Sequence, residues 1–151
     1  MDTNLLLEWS RDHRIVDKAT SGFCNYLDNW KRDSRDDFYD TFRGISNVKL
    51  IRTELKSIQL THIHDYTDLV YCNLRIMYLG EHIGVYTMVF TLEGEADDDF
   101  IEFDKLLDQI LRKGTVKVEI VIRAIKAGYD IEEIAALVDL DKEAIRPLFE
   151  G

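Results

Sequence analysis

The sequence predicts an α+β protein: N-terminal helices packed on a three- to four-stranded antiparallel sheet, followed by a C-terminal three-helix, helix-turn-helix-like subdomain. Three observations predict it. Apolar residues recur at helical spacing through Phe42. From about Val48 the pattern changes to threonine-, isoleucine- and tyrosine-rich runs broken by turn signals. Residues 115–149 then carry three successive helix starts with capping residues. The expected organisation is an α+β domain over residues 1–113 and a helical subdomain over residues 114–151.

Leu5, Leu6, Trp9, His13 and Val16 lie near helical spacing behind Asp2 or Thr3 as cap, so residues 4–19 read as an amphipathic helix that Ser21-Gly22 ends. A second helix, Phe23 to Lys31, gathers Phe23, Tyr26, Leu27 and Trp30 on one side. KRDSRDD, residues 31–37, is a charged, solvated turn. Phe38, Tyr39 and Phe42 return to the core before Gly44.

The strand region runs from Val48 to His64, then through the loop Asp65–Asp68 to a second strand, Leu69–Leu79. Gly80-Glu81 is the expected centre of a tight hairpin leading to a third strand, Ile83–Glu93. That turn sets Tyr78 opposite Ile83, Ile76 opposite Val85, Leu74 opposite Thr87 and Cys72 opposite Val89, which makes one apolar face. The other face then carries Tyr71, Met77, Leu79, Tyr86, Met88, Phe90 and Leu92, so the sheet is covered on both sides or offers one side to a partner. GEADDD, residues 94–99, reads as an acidic turn, and Phe100–Phe103 as a short fourth strand. Asp104 caps a helix Lys105–Arg112 that Lys113-Gly114 ends.

Composition narrows the function. With 151 residues and 46% apolar content the chain can bury a core. No apolar run approaches a membrane span, and charge interrupts the opening MDTNLLLEWSRDH too soon for a secretory signal, so the expectation is a cytoplasmic protein without a membrane partner. The net charge is −10, and residues 94–114 alone carry seven acids against three bases. That sign repels a phosphate backbone and disfavours nucleic acid as a partner. Cys24 and Cys72 fit neither a zinc site nor a disulfide framework and read as two buried thiols.

Three constellations invite chemistry, and none completes it. His62 and His64 share a strand face, but the register above sets Tyr71 and Leu69 across from them, and His82 falls at the far hairpin, so a third metal ligand is missing. Asp40 with Glu54-Leu55-Lys56 has the acid and E-x-K spacing of metal-dependent nucleases, where carboxylates hold Mg²⁺ and the lysine polarises the attacked phosphate or water. Such a core normally follows that strand with a helix, and here strands follow. Asp97, Asp98 and Asp99 lack the spaced oxygen ligands of a calcium loop. There is no P-loop, dinucleotide fingerprint or G-x-S-x-G elbow, so no catalytic residue, cofactor site or metal site is assigned.

In the C-terminal segment Thr115 caps a helix Val116–Ala127, Gly128 stops it, Asp130 with Glu133 opens Ile131–Val138 as a capping box, and Asp141 caps a last helix. Ile134, Ala135, Val138, Leu140, Ile145 and Leu148 have helix-turn-helix spacing. The run VEIVIRAIKAGYDIEEIAALVDLDKEAIRPLF resembles the helical tail of bacterial recombination-promoting nuclease and transposase-like proteins of the PD-(D/E)xK class, in which G-x-[SD]-I-E-E-I-A-x-x-[TV]-G-L is frequent. Asp139 stands where that pattern has glycine. The resemblance covers residues 115–149, implies a bacterial or phage origin, and carries over no catalytic residue. Were these helices to read DNA, Lys142 and Arg146 would be the contacts, yet residues 115–151 hold eight acids against five bases and offer no positive stripe.

The sequence therefore points first to an acidic, non-enzymatic protein-interaction or regulatory module that meets a protein partner or self-associates as a homo-oligomer. A helix-turn-helix DNA-binding regulator and a metal-dependent nuclease are the alternatives.

Overall fold

A computed structural model describes residues 1–150. The order is α1 (Thr3–Asp12), α2 (Ile15–Asp33), α3 (Arg35–Phe42), α4 (Ile45–Lys49), β1 (Ile51–His62), β2 (Asp68–Tyr78), β3 (Glu81–Phe90), β4 (Ala96–Phe103), α5 (Leu107–Lys126), α6 (Ile131–Val138) and α7 (Lys142–Ile145), with a closing 3₁₀ turn, Arg146–Leu148. The fold is α+β, with N-terminal helices, an antiparallel sheet ordered β1-β2-β3-β4, and C-terminal helices.

The first helix is shorter than its periodicity suggested. Asp2 accepts from the Leu5 amide and starts α1, but Arg14 takes a left-handed conformation, φ 53°, and breaks the run between Asp12 and Ile15. The expected stop at Ser21-Gly22 is absent, and α2 continues through it. Gly22 is there for contact: a Cβ would lie 2.6 Å from the Tyr86 hydroxyl and would also strike Met88. The same correction applies to Gly114. It lies inside α5, where any Cβ would collide with the Tyr78 ring, so the helices expected on either side of Lys113-Gly114 are one. The boundary drawn at residues 113/114 falls within that helix.

The hairpin differs from expectation by its turn and by a bulge. Leu79 and Gly80, both with positive φ, are the central pair, so that Tyr78 meets Glu81 rather than Ile83. A register shift between Ile76 and Met77 then sets Ile76 opposite Gly84, Leu74 opposite Tyr86 and Cys72 opposite Met88. Because side chains alternate along a strand, this slip moves Tyr86, Met88 and Phe90 to the face that Leu74 and Cys72 occupy. The helices cover that face. Ile15, Phe23, Phe38, Phe42, Leu111 and Val118 form one core cluster with Val70, Cys72, Leu74, Ile76, Tyr78, Tyr86 and Phe90.

The opposite face is consequently not the apolar surface that the sequence pattern implied. At its centre the Asn73 amide nitrogen donates to Ser57 Oγ and Gln59 Oε1, each at 3.0 Å, and Thr87 Oγ1 donates to Asn73 Oδ1 at 2.6 Å. Glu54 and Arg75, 3.6 Å apart, extend this polar ladder. Strand one is also shorter than expected, because Ile45–Lys49 form α4. Of the two cysteines, Cys72 is buried and Cys24 is exposed, so only one fits the buried reading. Among the described residues no helix is long and apolar enough to cross a membrane.

At the C-terminal end the local signals hold. Asp130 and Glu133 form the capping box of α6, and Asp141 caps α7. Val121, Ile134, Ala135, Val138 and Ile145 make a second cluster. Helix α5 thus contributes Leu111 and Val118 to the main core and Val121 to this one.

Candidate functional site

The acidic segment is built differently from its sequence reading. Asp97, Asp98 and Asp99 are not a turn; they lie in β4, which starts at Ala96 and pairs with β3 as Val89 to Asp98, Met88 to Asp99 and Thr87 to Phe100. The turn before it is held from the helical side. Trp9 Nε1 donates to the Leu92 carbonyl at 2.8 Å, and Lys18 Nζ to the Gly94 carbonyl at 2.7 Å. These two bonds tie the start of β4 to α1 and α2.

Between α2 and β4 lies an open cleft of about 730 Å³. One wall is a helical stripe, Asn25, Asn29 and Asp33, spaced so that all three project from one side of α2. Tyr26 and Trp30, with Met88, Ile101 and Phe103 from the sheet, form the apolar floor, and Asp97, Asp98 and Asp99 form the other wall. No lysine, arginine or histidine lines it among the described residues.

The floor is rigid. Buried Tyr86 donates its hydroxyl to Asp99 Oδ2 at 2.8 Å, and its ring stands edge-on to Phe23 and Tyr26. Burial, and secondarily the adjoining Asp99 carboxylate, pushes the Tyr86 hydroxyl well above its ordinary titration range, so it stays a donor. Trp30 is locked by its indole bond to Asp37, 2.9 Å, and by edge contact with Phe38. Preset walls of this kind cost little ordering when something docks.

The residues singled out from sequence scatter. His62 Nδ1 sits 2.6 Å from Asp68 Oδ1 and pairs across the sheet with Asp68, not Tyr71, while His64 lies beyond the strand beside Asp65. Glu54 pairs with Arg75, and no group of three or more metal-ligating side chains converges among the described residues. Lys142 lies 3.9 Å from Glu132. Arg146 donates through Nε and Nη2 to the Glu143 carboxylate at 2.9 and 2.8 Å, which holds that exposed carboxyl below the usual range. Both cations are therefore already matched by carboxylates. The cleft is not apparent in the sequence because Tyr26 and Trp30 have the helical spacing of core residues and do pack against the core. Its one sequence signal was the Asn25-Asn29-Asp33 stripe beside those aromatics. No family model, curated protein or solved structure matches this chain.

Proposed function

We propose that this chain is a cytoplasmic, non-enzymatic protein-interaction module that takes a basic segment of a different protein into the α2–β4 cleft. The observation that carries this reading is the cleft's chemistry: an apolar aromatic floor between two walls that carry carboxylates and carboxamides and no cation. Apolar floors supply affinity and charged rims supply selectivity and speed of encounter. A net charge of −10 reinforces attraction for a basic partner and opposes a second copy of the chain. The C-terminal resemblance supports a bacterial or phage setting.

The test is a photo-cross-linking amino acid placed at Asn25, at the cleft, and separately at Lys56, on the distant strand β1. The expected result is a covalent adduct to another protein from the Asn25 position only, lost when Asp33→Lys and Asp98→Lys are added. Equal labelling from both positions, or an adduct solely with another copy of this chain, would remove the reading.

A further inference from the structure

The two edges of the sheet are guarded in different ways. An edge strand exposes unpaired main-chain amides and carbonyls, and proteins commonly protect it with bulges, lysines or prolines. β1 follows that rule: its pairing is interrupted between Leu55 and Ser57, with Lys56 at the irregularity. β4 carries a bulge too, at Asp97, where the register shifts between Phe90–Ala96 and Val89–Asp98, and the Asp99 amide donates to Asp98 Oδ1 at 2.8 Å. From Asp98 to Phe103 it nonetheless pairs with β3 without interruption, it contains no lysine or proline, and among the described residues no strand lies on its other side. Along that stretch the guard is negative charge.

The cleft opens along this edge. The bulge at Asp97 puts Ala96, opposite Phe90, on the same face as Asp99, opposite Met88, while Asp98, opposite Val89, reaches the cleft from the other face across the strand edge. The bulge and the charge together oppose a second copy of β4, since Asp97–Asp99 and Glu102 would meet their own likes. The same charge favours a basic strand in its place.

We infer that the occupant of the cleft is an extended segment with alternating basic and apolar residues, which adds to β4 as a fifth strand; the inference rests on the interaction reading above. The alternation follows from the two faces of β4. Asp99, Ile101 and Phe103 are partly buried, on the α2 side, and would sit beside the apolar residues of the incoming strand. Asp98, Phe100 and Glu102 are exposed on the opposite side, where the two carboxylates would sit beside its lysines or arginines. Main-chain pairing supplies the affinity in this mode, and the alternate side chains supply the choice of partner.

The probe is a capped peptide alternating lysine and valine, long enough to match Asp98–Phe103, titrated into the full chain. Saturable binding is expected, with amide exchange in β4 slowed on binding. N-methylation of one alternate set of peptide amides should abolish binding, while methylation of the other set leaves it. Asp98→Lys with Glu102→Lys, both at exposed positions, should weaken binding by about tenfold or more. Saturable, charge-dependent binding without protection of β4, or with equal response to both methylation sets, overturns strand addition and leaves the interaction reading standing. Absence of any saturable binding overturns both.

Discussion

Gly114 and Tyr78 show how a single missing Cβ positions a helix. Tyr78 is fully buried and its hydroxyl donates to Asn47 Oδ1 at 2.6 Å, while the Asn47 amide donates to the Phe42 carbonyl at 2.9 Å and to Thr115 Oγ1 at 3.0 Å. The ring is fixed by this network and cannot yield to a methyl group. Gly114→Ala gains about 1 kcal/mol of helix propensity but incurs about 1–3 kcal/mol of overpacking. A net loss of stability is expected in urea denaturation, and an unchanged or raised midpoint would show that the ring gives way. The cysteines allow a second residue-scale check. Burial pushes the Cys72 thiol up to about 11, whereas Cys24 is exposed. Because the thiolate is the nucleophile, a thiol reagent near neutral pH should label Cys24 alone in the native protein and both cysteines after unfolding. Rapid native labelling of Cys72 would contradict its burial.

Among the elements, α7 is where the DNA-reading alternative can be tested. Lys142 and Arg146 face carboxylates of α6 and of their own turn, so docking on a duplex would first have to break those pairs. No mobility shift of random duplex is expected at physiological salt with micromolar protein. Tight binding at low salt that Lys142→Glu and Arg146→Glu abolish would promote the regulator reading. Helix α6 was legible residue for residue because a capping box is a local signal: Asp130 and Glu133 satisfy each other's amides without help from elsewhere. The hairpin register was not legible. A bulge at Ile76/Met77 flips which β3 side chains face the helices, and no two-residue turn announces it. Gly22 and Gly114 misled for a related reason, since glycine marks both a helix stop and a close approach, and only the neighbouring element tells them apart. The cleft was hidden most completely, because its walls come from α2 and β4, which are separated in sequence by two helices and three strands.

At the scale of the whole molecule, the main core encloses groups that resist ionisation. Cys72, Tyr78 and Tyr86 are all buried, and burial raises each hydroxyl or thiol above its ordinary value. In the unfolded chain these groups lose protons from about pH 9 upward, while in the fold they hold them longer, so the folded state binds more protons through that window. Stability should therefore be fully present below about pH 9 and fall as pH rises through about 11. Urea midpoints measured across that range would check the sign, and a flat profile would mean the three groups titrate as they do in the open chain. A different whole-molecule property follows from α5, whose 20 residues serve both hydrophobic clusters. A helix that is the wall of two rooms cannot be moved out with either one. The C-terminal helices are for this reason not a cassette that recombination could lift out at residue 114; the cut would leave each side with half of a strut. A joint that evolution could exploit lies later, in the Gly128–Asp130 turn, and whatever arrived there would have to bring its own match for the Val121 side of α5.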